Sequence, residues 1–462
     1  MATNLKHISF TLLLITFLNI CCSKRDEFLN AKPQESLSTI SSLDDAQNLL
    51  DNENLFNLAS EPLLGELSSD DYYISDATWL EAPQNEQNAY LWAKQIYPVG
   101  KDVADWTACY QQVYVCNVVL DALKSIQITS SEKTRLNNIE GTALLLRGYA
   151  FFNLMQIFSL PYNASTSKLQ LGVPLRLDPD LNERSSRATT EQCYNQIIKD
   201  VLDASKLLPV NVKRITLPNK AAAYGLLSRV YLSMSDYRNC KLFSDSCLDL
   251  HSAITDFNII QPASFQLTSP SVPYLEEDIF HKTAKGYNIV SLTRAIVDST
   301  LFSLYDSTDL RRTLFFTVYQ NQIRFKGSFE FHLGGFFTGI STSEILLNRA
   351  ECLAKSGMIV EAMRDLNKVL QNRYKIGSFV ARTAGTDIEA RRLILTERRK
   401  ELCFRGLRWI DLRRLNQEPD NAKLLTRRIN GVLYQLPPND LKYALPIPDN
   451  EILASGIEQN AR

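Results

Sequence analysis

The chain has 462 residues, of which 45% are hydrophobic and 22% are charged. That composition excludes wholesale disorder and collagen-like structure. At roughly 150 residues per domain, the length predicts two or three domains with a core that needs no staples. The 50 Lys and Arg against 51 Asp and Glu give a net charge of −1, which argues against a nucleic-acid binder, whose affinity rests on a basic excess.

Residues 1–21 carry one charged side chain, Lys6, ahead of a 13-residue apolar run from Ile8 to Ile20. A bilayer-spanning helix needs about 20 residues, so the run reads as a secretory signal instead. Cys21 and Cys22 stand where it stops, the position that bacterial lipoprotein processing requires. The small residue expected before a lipidated cysteine favours Cys22. Neither choice has a clean processing box, since Asn19 or Ile20 stands two places back, so Cys21 remains the alternative. Residues 22–42 are polar, with Pro33, and suit a tether.

Helical periodicity begins near Leu43 and dominates to about residue 260. The spacing predicts helices over Trp106–Ile126, Glu132–Phe158 (stopped before Pro161), a segment capped by Thr189 or Thr190 and ending at Leu208, and 219–250. In the last, Ala221, Ala222, Ala223 and Gly225 permit close helix approach, and Ser235-Asp236 makes a turn. That is a helical hairpin of the tetratricopeptide kind with a degenerate consensus. Residues 341–373, broken at Ser356-Gly357, read the same way; unrelated antiparallel helices are the plainer alternative. Between them, 261–340 is rich in Pro and Gly and reads as loops and short strands. A hairpin is expected within Thr313–Phe331, turning near Asn321-Gln322.

Motifs for chemistry are scarce. The chain has only four His and no GxSxG, Walker A or GxGxxG pattern. Asp178 to Glu183 imitates the start of an EF-hand, but Glu183 replaces the required Gly, and Thr189 the terminal Glu. No metal, cofactor or catalytic residue is therefore expected. Acidic neighbours such as Asp70-Asp71 and Glu276-Glu277-Asp278 suit glycoside hydrolysis only at a particular spatial separation. The cysteines at 109, 116, 193, 240, 247, 352 and 403 form no CxxC pair. Two helical turns place the i, i+7 pairs about 10.5 Å apart, beyond disulfide reach, so they read as small buried side chains. Residues 388–415 hold nine Lys and Arg and four Asp and Glu. Glu401 with Arg405, and Arg408 with Asp411, are spaced for ion pairing along helices.

The segment TERRKELCFRGLRWIDLRRL (396–415) strongly resembles the C-terminal signature of the SusD/RagB family of Bacteroidetes outer-membrane lipoproteins, roughly ERR-x-EL-x-F-E-G-x-RW-x-DL-RR. Arg405 departs from it, standing where an acid is common. Further likenesses run in order along the chain: Cys22 followed by DEFL, GTALLLRGYAFFNLMQIFSLPY (141–162), LGVPLRL (171–177), the 219–250 hairpin, SEILLNRAECLAKSG (343–357) and LPIPDNEI (445–452). The resemblance implies a mostly α-helical fold. Four tetratricopeptide-like hairpins would form a scaffold beside an irregular, loop-rich ligand-binding half with a few short strands. It implies a signal over 1–21, a tether over 22–42 and one body over 43–462, divided into helical 43–260, inserted 261–340 and C-terminal 341–462. It also implies a lipid anchor at Cys22 in the outer membrane and a non-catalytic role. The protein would be a lid on a SusC-like TonB-dependent transporter, capturing glycans or, in some members, peptides.

Sugar recognition stacks rings on aromatic faces beside a few hydrogen-bonding groups. Such a concentration lies at 68–97, with Asp70, Asp71, Tyr72, Tyr73, Trp79, Tyr90, Trp92 and Tyr97 in a stretch of weak helical period. Asp71, Tyr72, Tyr73, Trp79 and Trp92 are the ligand residues expected there. Tyr287, in a Gly-containing loop, is a further candidate. Peptide capture is the alternative function, and a surface glycosidase a more distant one. Trp409, a lone large aromatic among charges, is expected to anchor the scaffold.

Overall fold

The computed structural model describes residues 40–260, 274–329 and 335–462. Cys22, the leader and nearly all of the tether lie outside the described residues, as do Pro262, Pro270, Pro273 and Gly334. Helix α1 (Leu43–Leu50) packs on α2 (Ala104–Ala122) and α3 (Lys133–Phe158). Next come α4 (Thr190–Leu207), α5 (Lys220–Ser233) and α6 (Tyr237–Leu250), then α7 (Thr342–Lys355), α8 (Ile359–Leu370), α9 (Asp387–Glu401) and α10 (Arg408–Leu415). Successive helices from α2 to α8 pack on one another, α6 against α7 included. The scaffold is thus mostly helical and tetratricopeptide-like, with short strands beside it.

Local chemistry explains the boundaries. Thr189 accepts from the Gln192 amide, and Gln192 accepts from the Thr189 amide, a reciprocal cap on α4. Asn219 caps α5 and Asp236 caps α6 through their side chains. The α7–α8 turn requires Gly357, whose φ is +76°. Helix α2 begins and ends earlier than its periodicity predicts. The seven described cysteines are buried and unpaired.

Short two-stranded ladders join the two ends of the 274–341 region and tie it to the segment at Tyr72–Tyr73. Asp278–Phe280 pairs with Ile340–Ser341, and Ile296–Val297 pairs with Tyr72–Tyr73. The expected hairpin is present as Phe316–Tyr319 with Gln322–Phe325. Its turn is Gln320-Asn321, both at positive φ, one residue earlier than expected. Thr313 and Leu314 close a helical turn, Arg311–Leu314, instead of opening the strand. A second hairpin, Leu425–Ile429 with Val432–Leu436, was not anticipated. The Asn430-Gly431 pair, a strong two-residue hairpin signal, marks it in the sequence.

The ion pairs of 388–415 are internal, but neither Glu401 with Arg405 nor Arg408 with Asp411 is among them. Glu401 pairs with Arg373 at 2.8 Å and Arg311 at 3.0 Å, and Arg405 approaches Glu344 at 3.5 Å. Asp411 pairs with Arg398 and Arg414, while Arg408 forks onto Asp70 at 2.6 and 3.0 Å. The correction is physical: Glu401 and Arg405 are buried, and buried charges take partners on the packed neighbouring segments as well as one turn away.

Candidate functional site

Residues Phe404 and Gly406 take positive φ in the tight turn between α9 and α10. The Phe404 ring stacks on Phe325 with centroids 4.4 Å apart and planes 13° apart. The signature thereby seats the 316–325 hairpin. It also fixes the start of the aromatic segment, because Arg408 holds Asp70. Burial alone would raise the Asp70 carboxyl, but Arg408, Arg399 and Lys423 hold it well below the usual range.

From Asp70 the chain enters the strand Tyr72–Tyr73, antiparallel to Ile296–Val297. Strand alternation sends neighbouring side chains to opposite faces. Tyr72 is 3% exposed and Tyr73 is 44% exposed. Ser75 then caps the helix Asp76–Glu81, and a second helix, Gln84–Tyr90, follows. These two helices correct the reading of 68–97 as a stretch of poor helical period: each is too short to display it.

Three expected ligand residues are core. Tyr72 and Trp92, the latter 2% exposed, close with Tyr90 around the guanidinium of Arg427. Its carbon lies 5.5, 4.6 and 3.7 Å from the Tyr72, Trp92 and Tyr90 ring centroids. Trp92 also donates from Nε1 to the Ser68 carbonyl at 3.0 Å. These rings clamp the unanticipated hairpin, so they have no free face for a ligand. Asp71 is fully buried. Its Oδ2 accepts from the Phe404 amide at 3.4 Å, and Arg399 lies 3.6 Å from Oδ1. Burial pushes its carboxyl up to about 6.

Tyr73 and Trp79 remain accessible. Trp79 is half-buried, donating from Nε1 to the Gln87 carbonyl at 3.3 Å. Beside them, Arg324 donates to the Arg294 carbonyl at 2.6 Å, and Arg294 reaches Glu81 at 3.4 Å. The Arg324 Nε is buried without a hydrogen-bond partner. Tyr73 and the exposed Tyr319 both lie close enough to act on its charge, which burial pushes down. Cross-strand pairing puts Thr317 opposite Arg324 and Tyr319 opposite Gln322, so Tyr319 and Arg324 share a hairpin face. Tyr73 and Tyr319 are thus exposed rings close to the buried Arg324 guanidinium, with Trp79 and Arg294 half-buried. The sequence pointed to only Tyr73 and Trp79; nothing in an isolated Arg or Tyr of a short strand marks the others.

Tyr287, also half-buried, belongs to a different feature. Its hydroxyl donates to Asp105 Oδ1 at 2.8 Å, while Asp105 Oδ2 accepts from the Leu63 and Leu64 amides at 2.8 and 2.7 Å. Burial pushes the Asp105 carboxyl up to about 6 against those hydrogen bonds. This group flanks a cavity of about 390 Å³ whose walls include Leu64, Pro83, Gln84, Tyr97 and Tyr287.

Residues 27–232 match a family described as starch-binding and associating with the outer membrane, and residues 338–461 match the SusD family. A SusD-like protein P2 from Formosa agariphila is 22% identical over 385 residues, covering 69% of this chain and 73% of that protein. Among solved structures, a SusD superfamily protein from Bacteroides thetaiotaomicron is 24% identical, with a TM-score of 0.73 over 91% of this chain and all of that one. A laminarin-binding SusD-like protein is 18% identical, with a TM-score of 0.63 over 90% of this chain and 97% of that one. Signature, helical scaffold and ordered matches agree: the chain belongs to the SusD/RagB family.

Proposed function

We propose that this protein is a non-catalytic cell-surface lipoprotein that captures glycan chains and passes them to a partner SusC-like TonB-dependent transporter. The observation that carries the reading is the pair of exposed rings, Tyr73 and Tyr319, both close to Arg324. A sugar offers an apolar face to each exposed ring, the contact such a surface suits. Membership in a family of outer-membrane-associated binders supports the cellular setting, and a laminarin-binding relative of the same fold supports a glycan over a peptide.

Titration calorimetry of the full chain in detergent, against a panel of soluble polysaccharides and peptides, tests the reading. Saturable binding of a polysaccharide that mass spectrometry then recovers uncleaved is the expected result. Binding confined to peptides overturns the ligand class, and recovery of shortened sugars overturns the non-catalytic role.

A further inference from the structure

Two of the buried cysteines come together. Cys240 on α6 and Cys352 on α7 share a buried cluster with Leu232, edged by Tyr231 and Tyr237. The register of the two helices places them there. Arg349 on α7 reaches Asp245 on α6 at 3.0 Å. Asn348 and Ser244 meet through Ser228 Oγ of α5, at 2.9 and 2.8 Å. One turn back along α6 from Ser244 is Cys240, and one turn on along α7 from Asn348 is Cys352, each on the same helix face as the residue it is counted from. Antiparallel packing therefore sets the two thiols against each other, close enough to share a hydrogen bond.

The other thiols of the body are placed differently. Cys193 donates to the Val173 carbonyl at 3.5 Å, Cys247 donates to the Ala221 carbonyl at 3.3 Å, and Cys403 lies 3.6 Å from the Tyr305 hydroxyl. Cys109 and Cys116 stand two turns apart on α2, beyond bonding reach. Two thiols in contact are the substrate of a particular reaction, because in an oxidising compartment such a pair closes to a disulfide.

We propose that Cys240 and Cys352 form a disulfide in the exported protein, joining α6 to α7. The oxidant is a second disulfide, carried by a thiol–disulfide exchange protein or by a small molecule such as glutathione disulfide. One cysteine loses its proton to water and attacks that disulfide, releasing one thiolate; the other cysteine then loses its proton and displaces the second. The two electrons leave with the oxidant, which departs as two thiols. Both side chains are fully buried, and the Cys240 thiol and burial together push the Cys352 thiol up, so the exchange belongs to folding, before α7 closes on α6. The assignment rests on the cell-surface part of the reading above, since export supplies the oxidising setting. It adds a staple to that reading: the region that carries the Tyr319 hairpin leaves the scaffold after α6 and rejoins it at α7, so the bond ties the roots of the ligand surface together.

Peptide mapping of the full chain tests this. Protein solubilised from the membrane fraction is denatured in N-ethylmaleimide and digested with trypsin without reduction. Trypsin cuts after Arg238, Lys241, Arg349 and Lys355, so Cys240 and Cys352 fall on separate short peptides, clear of Cys247. The expected result is that these two peptides are recovered joined, with the other cysteines of the body alkylated. A reducing phosphine should lower the melting temperature of the parent by several degrees and leave that of Cys352→Ala unmoved. Thiols that only pack would make both proteins indifferent to the phosphine; if Cys352→Ala does not fold, the parent's peptide map decides alone. Alkylation of both cysteines in the membrane-derived protein overturns the bond, and a second sample, held with glutathione disulfide in sub-denaturing urea, separates the causes. Linkage in that sample shows a sound pair in a chain that never met an oxidant, and the surface setting falls with the proposal. Alkylation there too, or linkage to a different cysteine, overturns the pairing alone and leaves the glycan reading standing.

Discussion

Arg405 and Glu344 lie 3.5 Å apart in the fully buried core, and Glu344 already receives two hydrogen bonds of 2.8 Å from Arg229. Arg405 also donates to Ser341 Oγ and the Gly339 carbonyl, and its guanidinium sits 4.7 and 4.6 Å from the Phe329 and Phe337 ring centroids. This is the position at which the family signature commonly carries an acid. Here an acid would face Glu344 directly.

Arg405→Glu is therefore expected to destabilise severely, because it exchanges two cations on one carboxylate for two carboxylates on one cation. Breaking a buried pair costs about 3–5 kcal/mol, and the new repulsion adds to that. Arg405→Met keeps the Arg229–Glu344 fork and should cost distinctly less. Chemical denaturation of both variants checks the order; a stable Arg405→Glu protein would sink the argument.

Trp409 is buried against Tyr443, with ring centroids 4.8 Å apart, and it crowds Gly65, where an added Cβ would lie 3.0 Å from the indole. Trp409→Ala should cost about 3–5 kcal/mol and leave affinity per folded molecule unchanged. Gly65→Ala should destabilise through the same contact. A normal melting temperature with lost glycan binding would remove Trp409 from the scaffold.

The scaffold was legible in the sequence because the long helices carry their own period and several carry a local stop or start signal: Thr189, Asn219 and Gly357 mark boundaries within a few residues of themselves. The site was legible only in outline. Aromatic density pointed to 68–97, but composition treats Tyr72 and Tyr73 alike. Their separation into core and surface depends on pairing with Val297 and Ile296, a contact far along the chain. Likewise Tyr90, Trp92 and Tyr72 have a use for their faces, the guanidinium of Arg427, that no local pattern reveals. The Asn430-Gly431 turn that brings Arg427 there was a readable signal that the helical signature overshadowed.

Glu66 offers a pH test. It is fully buried, accepting from Ser69 Oγ at 3.0 Å and the Gly406 amide at 3.2 Å. Burial, then the Asp71 and Asp70 carboxylates, push its pKa up to about 8. The unfolded value is about 4.3, so the fold favours the uncharged acid. That stabilisation is complete below about pH 4.3 and is lost as pH rises through 8. Glu66→Gln should raise the melting temperature at pH 8, narrowing to little difference near pH 5. A variant less stable than the parent at pH 8 would show that the charged form is the one the core requires. Glu401 has the opposite sign: Arg373 and Arg311 outweigh its burial and hold it at about 2, so its contribution is kept above about pH 4.3 and lost on strong acidification.

Cys22→Ala is expected to block lipid attachment and release the protein from the membrane fraction, on the motive of the apolar run that ends at the cysteine pair. Radiolabelled palmitate incorporation measures it directly. Undiminished labelling in Cys22→Ala, abolished instead in Cys21→Ala, would move the anchor by one residue.

The sharpest contrast is between two neighbours of the same type. Tyr73 is 44% exposed, beside the unpartnered Nε of Arg324, whereas Tyr72 is 3% exposed, and its hydroxyl donates to the Leu67 carbonyl at 2.9 Å. Tyr73→Ala should leave stability within about 0.5 kcal/mol, as surface changes usually do, while weakening glycan binding by about tenfold through the lost stacking face. Tyr72→Ala should do the reverse: it opens a cavity beside Arg427 and costs about 3 kcal/mol or more, with affinity per folded molecule intact. Denaturation midpoints and calorimetric titration on the two variants, measured in parallel, separate the roles. If Tyr73→Ala binds every polysaccharide as the parent does, the exposed ring is not a ligand face, and the recognition surface lies elsewhere on the molecule.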